Sequence, residues 1–174
     1  MVAHPAFFLK TIDILKKVPN LKGEIIYICS NLTTYEYLQK KNINCIFYKP
    51  NFLDRIFFLI FSSNFLKLII KKFKILSRFE NFLGKNGVNL IYFIGASNYS
   101  FMCQKIDYIN YIFEVHHLFR PDLPEYKSWY DFDLRETLIK NIVKKSLSIV
   151  VDTNKKKEYL IKYYNCIEKK IDIV

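Results

Sequence analysis

Glycine and proline are scarce in this chain of 174 residues, which holds four glycines and five prolines. Together with 51% hydrophobic and 17% aromatic residues, this scarcity excludes collagen-like and disordered classes of protein. No G-x-G-x-x-G or P-loop sequence occurs, so the usual glycine-rich cradle for nucleotide phosphates is missing. The strongly apolar run 56–66 carries no charge but is shorter than the roughly 20 apolar residues that a membrane span needs, and no transmembrane helix is expected.

The four cysteines are widely spaced, and neither a C-x-x-C pair nor a histidine at metal-ligand spacing accompanies them. They are Cys29, Cys45, Cys103 and Cys166. This pattern predicts buried, reduced thiols in a cytosolic protein. No D-x-D carboxylate pair follows a predicted strand, so a metal ion is not expected, and the first ten residues lack the features of a signal peptide.

Basic residues outnumber acidic ones by 27 to 16, which gives a formal net charge of +11. Such an excess predicts attraction to nucleic acid, anionic lipid or phosphorylated substrates, and charge alone does not choose among them. Lysine is also the default basic residue of AT-rich genomes. The abundance of Ile, Asn, Lys, Phe and Tyr fits that bias, so part of the charge has an explanation without a partner.

Short apolar runs alternate with helical patterns along the chain. Strands are predicted at Glu24 to Cys29, Asn44 to Tyr48, Asn89 to Ile94, Tyr111 to Val115, Ser148 to Val151 and Ile171 to Val174. Helices are predicted at Pro5 to Val18, Thr33 to Lys41 with Asn31 as N-cap, Leu53 to Leu83, Ser100 to Tyr108, Asp131 to Lys145 and Lys155 to Tyr164. The alternation predicts one α/β domain with a doubly wound, mostly parallel, Rossmann-like sheet.

In a sheet of this kind, ligands collect where the carboxyl ends of the strands lead into loops. The rule nominates Ser30 and Asn31, Lys49 to Asn51, Gly95 to Asn98, His116 to Pro121, and Asp152 to Asn154. These segments are the candidate ligand contacts of the predicted domain.

The stretch from Phe113 to Arg135 holds two of the three histidines. The strand predicted to end at Val115 would deliver His116 and His117 to the mouth of the sheet. An imidazole there can hydrogen-bond a sugar hydroxyl or a phosphate. The alternative is that one histidine caps the strand and the other is solvated.

This stretch and the residues after it resemble the N-terminal domain of family 4 glycosyltransferases, which have the GT-B fold. Those proteins have V-H-D-L after a strand, then P-E, a helix with an arginine, and a strand followed by Ser-Glu. The matching residues are Val115-His116-His117-Leu118, Pro124-Glu125, Arg135, Ile149-Val150-Val151-Asp152-Thr153-Asn154, Lys157-Glu158-Tyr159-Leu160 and Lys169-Lys170-Ile171-Asp172-Ile173-Val174. The chain departs from the pattern at His117, where the family has aspartate, and at Thr153-Asn154, where it has Ser-Glu.

The resemblance implies the acceptor-side half of a retaining glycosyltransferase of polysaccharide biosynthesis. Such an enzyme moves a hexose from a nucleotide sugar, its donor substrate, to a glycan or a lipid-linked acceptor, with no other cofactor. His116 would be catalytic, beside the transferred sugar. The expected substrate-binding residues are His117, Arg135, Asn31, Gly95, Ser97, Asn98 and Thr153. Arg135 has an alternative, as a solvated helix residue or as the ion-pair partner of Asp131 or Asp133.

The family holds its donor nucleotide mainly in a second Rossmann-like domain, and the chain offers no counterpart to it. We therefore expect residues 1–174 to form a single domain that is inactive alone and needs a donor-binding domain, in cis or as a separate chain. One alternative is a noncatalytic subunit of a split glycosyltransferase. A nucleic-acid-binding domain is less favoured, because the aromatics lie mainly in apolar runs and not between exposed basic residues.

The segment from Arg55 to Arg78 has no acidic residue and repeats Phe, Leu and Ile at helical spacing. Its expected membrane-facing cations are Lys67, Lys71, Lys72 and Lys74. A basic amphipathic helix of this kind can lie on an anionic membrane surface, which would place the protein in the cytoplasm, peripheral to the inner face of the membrane. The alternative is a helix packed on the core with a solvated lysine face.

Overall fold

The computed structural model describes residues 24–62, 76–113, 115 and 129–174, and for 61, 62 and 129–131 the backbone alone. The chain divides into two compact units, Met1–Asn51 and Phe52–Val174. The predicted helix Pro5 to Val18 lies outside the described residues.

The first unit contains two parallel strands, β1 (Tyr27–Cys29) and β2 (Cys45–Phe47), joined by helix α1 (Leu32–Lys40). The helix begins as predicted, because the Asn31 side chain accepts a hydrogen bond from the Thr34 N–H at 3.1 Å. It ends at Lys40, and Asn42, two residues later, has a φ of 55° that turns the chain so that the Ile43 N–H donates to the Leu38 carbonyl at 3.1 Å. This local turn chemistry fixes both ends of α1.

The second unit contains a four-stranded, fully parallel sheet with the strand order β3-β4-β5-β6. Its strands are β3 (Leu90–Ile94), β4 (Asp107–Tyr111), β5 (Ser148–Val151) and β6 (Ile171–Ile173). Its helices are α2 (Phe52–Ser62), α3 (Arg78–Lys85), α4 (Trp129–Lys145) and α5 (Asn154–Tyr164), with short 3-10 helices at Asn98–Phe101 and Glu168–Lys170. The prediction of an α/β fold with a parallel sheet is confirmed at this level.

The core of the second unit lies between the sheet and the helices α4 and α5. Its fully buried side chains include Ile112 and Ile149 from the sheet region, Ile139 and Ile142 from α4, and Leu160 from α5. Burying each of these side chains contributes about 1.5–3 kcal/mol relative to leaving it in water. This packing fixes α4 and α5 against the sheet, so the loops at the ends of the strands are anchored on both sides.

Two sequence predictions are wrong between residues 98 and 115. The predicted helix Ser100 to Tyr108 is replaced by a single 3-10 turn, a loop and strand β4, and the predicted strand Tyr111 to Val115 begins four residues earlier, at Asp107. The physical reason is Glu80 of α3, which is 2% exposed. Its Oε1 accepts hydrogen bonds from the backbone N–H groups of Gln104 at 2.7 Å, of Ile106 at 2.9 Å and of Lys105 between them. Because these N–H groups donate to Glu80, they cannot form the hydrogen bonds of a helix.

The predicted helix Leu53 to Leu83 is also wrong as one continuous helix. α2 reaches Ser62, and a new helix, α3, begins after Ser77. Ser77 is fully buried and acts as the N-cap of α3, since its Oγ accepts the Glu80 N–H at 2.9 Å and donates to the Met102 carbonyl at 3.0 Å. A residue that serves as an N-cap has an extended backbone, which interrupts a helix that the apolar periodicity alone would continue.

All four cysteines are free and buried, as the sequence predicts. Burial raises the pKa of Cys29 to about 11, and the nearby Cys45 thiol adds to the effect. Burial likewise raises the pKa of the Cys103 and Cys166 thiols. A thiol with a raised pKa is a poor nucleophile, and all four buried side chains contribute to the packing of the interior.

Candidate functional site

The carboxyl edge of the four-stranded sheet is the candidate site of the second unit. β3 ends at Ile94 and leads into Gly95, Ser97 and Asn98, while β5 ends at Val151 and leads into Asp152 and Thr153. Because the strands are parallel and hydrogen-bonded through β4, these two loops leave the sheet at the same edge. The structure thus brings together two of the segments that the sequence nominates.

Gly95 has a conformation that other residues rarely adopt. Its φ is +90°, and a Cβ built on it would lie 3.0 and 3.2 Å from two atoms of the Phe113 ring. The glycine N–H donates to the Tyr111 carbonyl at 3.0 Å, which holds the loop against the end of β4. The Phe113 ring stacks edge to face on Tyr111 with centroids 4.6 Å apart. Gly95 therefore allows the β3 loop to lie directly on the aromatic pair at the end of β4.

Asn110 of β4 is a fully buried polar residue that supports the same loop. Its Nδ2 donates to the Gly95 carbonyl at 3.2 Å and to the Tyr111 carbonyl at 3.1 Å. Its Oδ1 is buried and has no hydrogen-bond partner among the described residues. Burying an amide oxygen without a partner costs free energy of folding. The two hydrogen bonds that Asn110 Nδ2 donates offset part of that cost.

Lys156 of α5 links the ends of β4 and β5. Its ammonium group lies 2.7 Å from Asp152 Oδ1 and 2.8 Å from Oδ2, and it also donates to the Phe113 carbonyl. The lysine side chain is 18% exposed, so the pair is better shielded from solvent than an ordinary surface ion pair. A cation in the first turn of a helix opposes the helix dipole, and Asp152, next to the N-cap, offsets that cost.

Two of the nominated polar residues act as helix caps. Ser97 Oγ accepts the Tyr99 N–H at 3.3 Å at the start of the 3-10 helix, and Thr153 Oγ1 accepts the Lys156 N–H at 3.3 Å at the start of α5. Each hydroxyl still has its own proton to donate. Both side chains therefore hold the loops in place and retain the capacity to bind a ligand.

The exposed part of this edge is polar, and it includes one exposed cation, Lys155, in the first turn of α5. Asn98, Thr153 and Asn154 are exposed, Asp152 carries one carboxylate with 40% of its side chain exposed, and the nearby ammonium group of Lys156 is occupied by Asp152. Amides, hydroxyls and a carboxylate offer both donors and acceptors, which suits a ligand that carries many hydroxyl groups.

The predicted catalytic residue His116, with His117, lies outside the described residues, and so do Lys67, Lys71, Lys72 and Lys74. Val115, which precedes His116, is 2% exposed and belongs to the core. Because β4 ends at Tyr111, His116 follows the strand by five residues instead of the single residue that the sequence predicts.

Two other predicted substrate contacts have different surroundings. Asn31 belongs to the first unit, where its side-chain oxygen caps α1. Arg135 lies half-buried on α4. A substrate contact of either residue is a prediction.

Searches against protein-family models, curated proteins and solved structures find no match to this chain. Within the described parts of the chain, no group of three or more His, Cys, Asp or Glu side chains is arranged to hold a metal ion. The described helices include none that is long and apolar enough to cross a membrane.

Sequence reasoning missed Asn110 and Lys156. For Lys156 a signal exists, since three consecutive lysines, 155–157, open a helix whose first turn ordinarily favours acidic residues. Asn110 falls between the predicted helix, which ends at Tyr108, and the predicted strand, which begins at Tyr111, so the sequence pattern does not place it in a buried strand.

Proposed function

We propose that the second unit belongs to the acceptor-side domain of a nucleotide-sugar-dependent glycosyltransferase of the Rossmann-like, GT-B kind. The observation that carries this proposal is the chemistry of the carboxyl edge, where Asn98, Asp152 and Thr153 present neutral donors and acceptors and a single carboxylate. Sugar hydroxyls need such partners. A nucleotide phosphate would need a cradle of backbone N–H groups or free cations, and the Lys156 ammonium group at this edge is already paired with Asp152.

The resemblance to family 4 glycosyltransferases adds the reaction to this binding site. His116, which follows the buried Val115 in the chain, is the proposed catalytic residue. The donor nucleotide sugar would be held by another domain, in cis or in a separate chain, and the reaction would retain the anomeric configuration. A noncatalytic subunit of a split glycosyltransferase would use the same acceptor site.

Titration of the isotopically labelled chain with a panel of short glycans, followed by amide NMR, tests this proposal. We expect the resonances of Gly95, Asn98 and Thr153 to move, while those of Val88 and Ser146 at the amino edge stay in place. Asn98→Ala should weaken binding by about 2- to 10-fold, the equivalent of one hydrogen bond. Asn86→Ala, the same substitution before β3, serves as the control.

Two results would contradict the acceptor-side assignment. The first is saturable binding of a nucleotide sugar such as UDP-glucose at Gly95 and Thr153, which would make this edge a donor site. The second is binding of a single-stranded oligonucleotide in preference to every glycan. That rival has support on α5, where Lys155 lies 5.8 Å from the Tyr159 ring and Lys162 lies 5.2 Å from the Tyr163 ring. On α5, lysine and tyrosine side chains alternate in the manner that stacking platforms for single-stranded nucleic acid use.

The proposal includes a peripheral contact with an anionic membrane, through α2 and the basic segment after it. α2 leaves Phe52, Leu53 and Leu59 exposed, by 73%, 51% and 58%. Its buried Asp54 faces the other way and pairs with Arg78 at 3.0 Å. Exposed apolar side chains next to a segment with cations and no acid fit a membrane surface.

Co-sedimentation with vesicles that contain phosphatidylglycerol tests the membrane contact. Replacing both Phe52 and Leu59 by serine should weaken vesicle binding about tenfold or more, because two apolar side chains lose their place in the bilayer interface. Leu147→Ser removes another exposed leucine, 55% exposed, and should leave binding unchanged. Equal binding by all three proteins, or by vesicles without anionic lipid, would show that α2 does not contact the membrane.

A further inference from the structure

A groove of about 320 Å³ lies between the end of α4 and the turn that follows α5. Lys140 and Lys144 of α4, Asn165 and Ile167 of the turn, and Lys170 line it. β5 begins soon after α4, and β6 begins directly after Lys170, so the groove lies toward the amino ends of these strands. It is therefore a different place from the candidate site at the carboxyl edge.

The cations of the groove are only partly neutralised. Lys140 Nζ pairs with Glu136 Oε1 at 3.0 Å, and the other oxygen of Glu136 accepts the Tyr164 hydroxyl at 2.7 Å. For Lys144 and Lys170, no carboxylate lies within ion-pair distance among the residues that the structure describes. The Glu136 carboxylate is thus already engaged on both oxygens.

The ends of α4 and α5 account for part of this positive charge. The C-terminus of each of these helices carries about half a negative charge, and Lys170 caps that of α4 by donating to the Val143 carbonyl at 2.8 Å. Three ammonium groups exceed Glu136 and the two helix ends together by about one positive charge. After the lysines have balanced Glu136 and the two helix ends, a surplus of positive charge remains, and it favours the binding of an anion.

We propose that this groove binds the phosphate group of a small phosphorylated ligand. Lys170 uses one of its three N–H donors on the Val143 carbonyl, so two donors remain for a ligand. Lys144 of α4 also lines the groove and adds a second ammonium group. The groove has the volume of a small-molecule site, and Ile167, which is 62% exposed, offers an apolar surface to the rest of the ligand.

The environment of Lys170 supports the proposal. Burial lowers the pKa of its ammonium group, which means that the charge is partly removed from water. A bound dianion replaces the lost hydration, and lysine is a common partner of phosphate. Nucleic acid would bind to an extended basic surface and would not need a concave groove. A carboxylate has fewer acceptor oxygens than a phosphate and would leave some of the lysine N–H donors without a partner.

Titration of the full chain with inorganic pyrophosphate, followed by amide NMR, tests the site. We expect the resonances of Lys144, Asn165 and Lys170 to move and those of Gly95 and Thr153 to stay in place. Lys144→Gln removes one cation without touching the cap at Val143 and should weaken binding about tenfold. Lys155→Gln removes an exposed lysine of α5 that does not line the groove and is the charge-matched control.

Three outcomes overturn the proposal. One is unchanged affinity in Lys144→Gln, and another is equal weakening by Lys155→Gln, which would indicate attraction to net charge alone. The third is binding only to vesicles that contain phosphatidic acid, with no response to pyrophosphate, because the ligand would then be a lipid surface. Lys170→Gln is expected to weaken binding further, and its folding is checked by the dispersion of the same spectra.

Discussion

Replacing Glu80 by alanine is expected to lower the free energy of unfolding by about 3–5 kcal/mol, one of the two largest effects we anticipate in this chain. Glu80 is 2% exposed, and one of its oxygens accepts three consecutive backbone N–H groups, from Gln104 to Ile106. These donors precede β4, and without the carboxylate they must find water or stay unpaired. Each buried donor left unpaired costs about 1–3 kcal/mol.

Urea unfolding followed by circular dichroism measures this effect. Glu80→Gln keeps an acceptor oxygen but adds a buried amide donor in place of Oε2, which has no partner among the described residues, so a smaller loss of about 1–3 kcal/mol is expected. Glu168→Ala removes an exposed carboxylate that pairs with Lys157 at 3.0 Å and should cost about 0.5 kcal/mol or less. Stability of Glu80→Ala within that same range would mean that the loop before β4 does not depend on the carboxylate.

The position of β4 shows where sequence reasoning reaches its limit. The apolar pattern placed a helix up to Tyr108 and a strand from Tyr111, whereas the strand begins at Asp107 and includes the buried Asn110. Both polar residues weaken the strand signal. The group that fixes the loop, Glu80, lies 24–26 positions away in the chain, and no local window contains it.

Elements with strong local signals are predicted well. β5 has the predicted bounds, Ser148–Val151, because its four residues are bounded by a helix end and by Asp152. α1 follows Asn31, whose side chain caps it as predicted. In both cases the deciding contacts lie within a few residues of each other, so the sequence pattern contains the necessary information.

In the candidate site, too, the sequence predicts the residues that follow from local signals and misses those that depend on distant contacts. The rule that ligands collect at the carboxyl ends of parallel strands nominates Gly95 and Thr153, which the structure places at one edge of the sheet. It does not identify Asn110 or Lys156, because their contacts, with the Gly95 and Phe113 carbonyls, join different strands. Contacts across the sheet depend on register, and register follows from the whole unit.

Replacing Gly95 by alanine is the second substitution with a large expected effect, a loss of about 2–4 kcal/mol of unfolding free energy. The φ of +90° strains any residue with a Cβ, and the new methyl group would lie 3.0 Å from the Phe113 ring. The loop would have to move away from β4, which breaks its hydrogen bonds with Tyr111 and Asn110. Glycan binding at the carboxyl edge should fall in parallel.

Gly84→Ala is the matched control for this prediction, because it adds the same methyl group at a helical position of α3 where nothing lies within 4 Å. It should stabilise the protein by about 0.4–1 kcal/mol, since alanine loses less backbone entropy on folding. Opposite signs for the two substitutions in the same urea experiment would establish that the conformation of Gly95 matters, and not glycine content in general. If Gly95→Ala left both stability and glycan binding unchanged, the ligand could not depend on the close approach of the β3 loop to Phe113, and the proposed acceptor site would have to lie elsewhere.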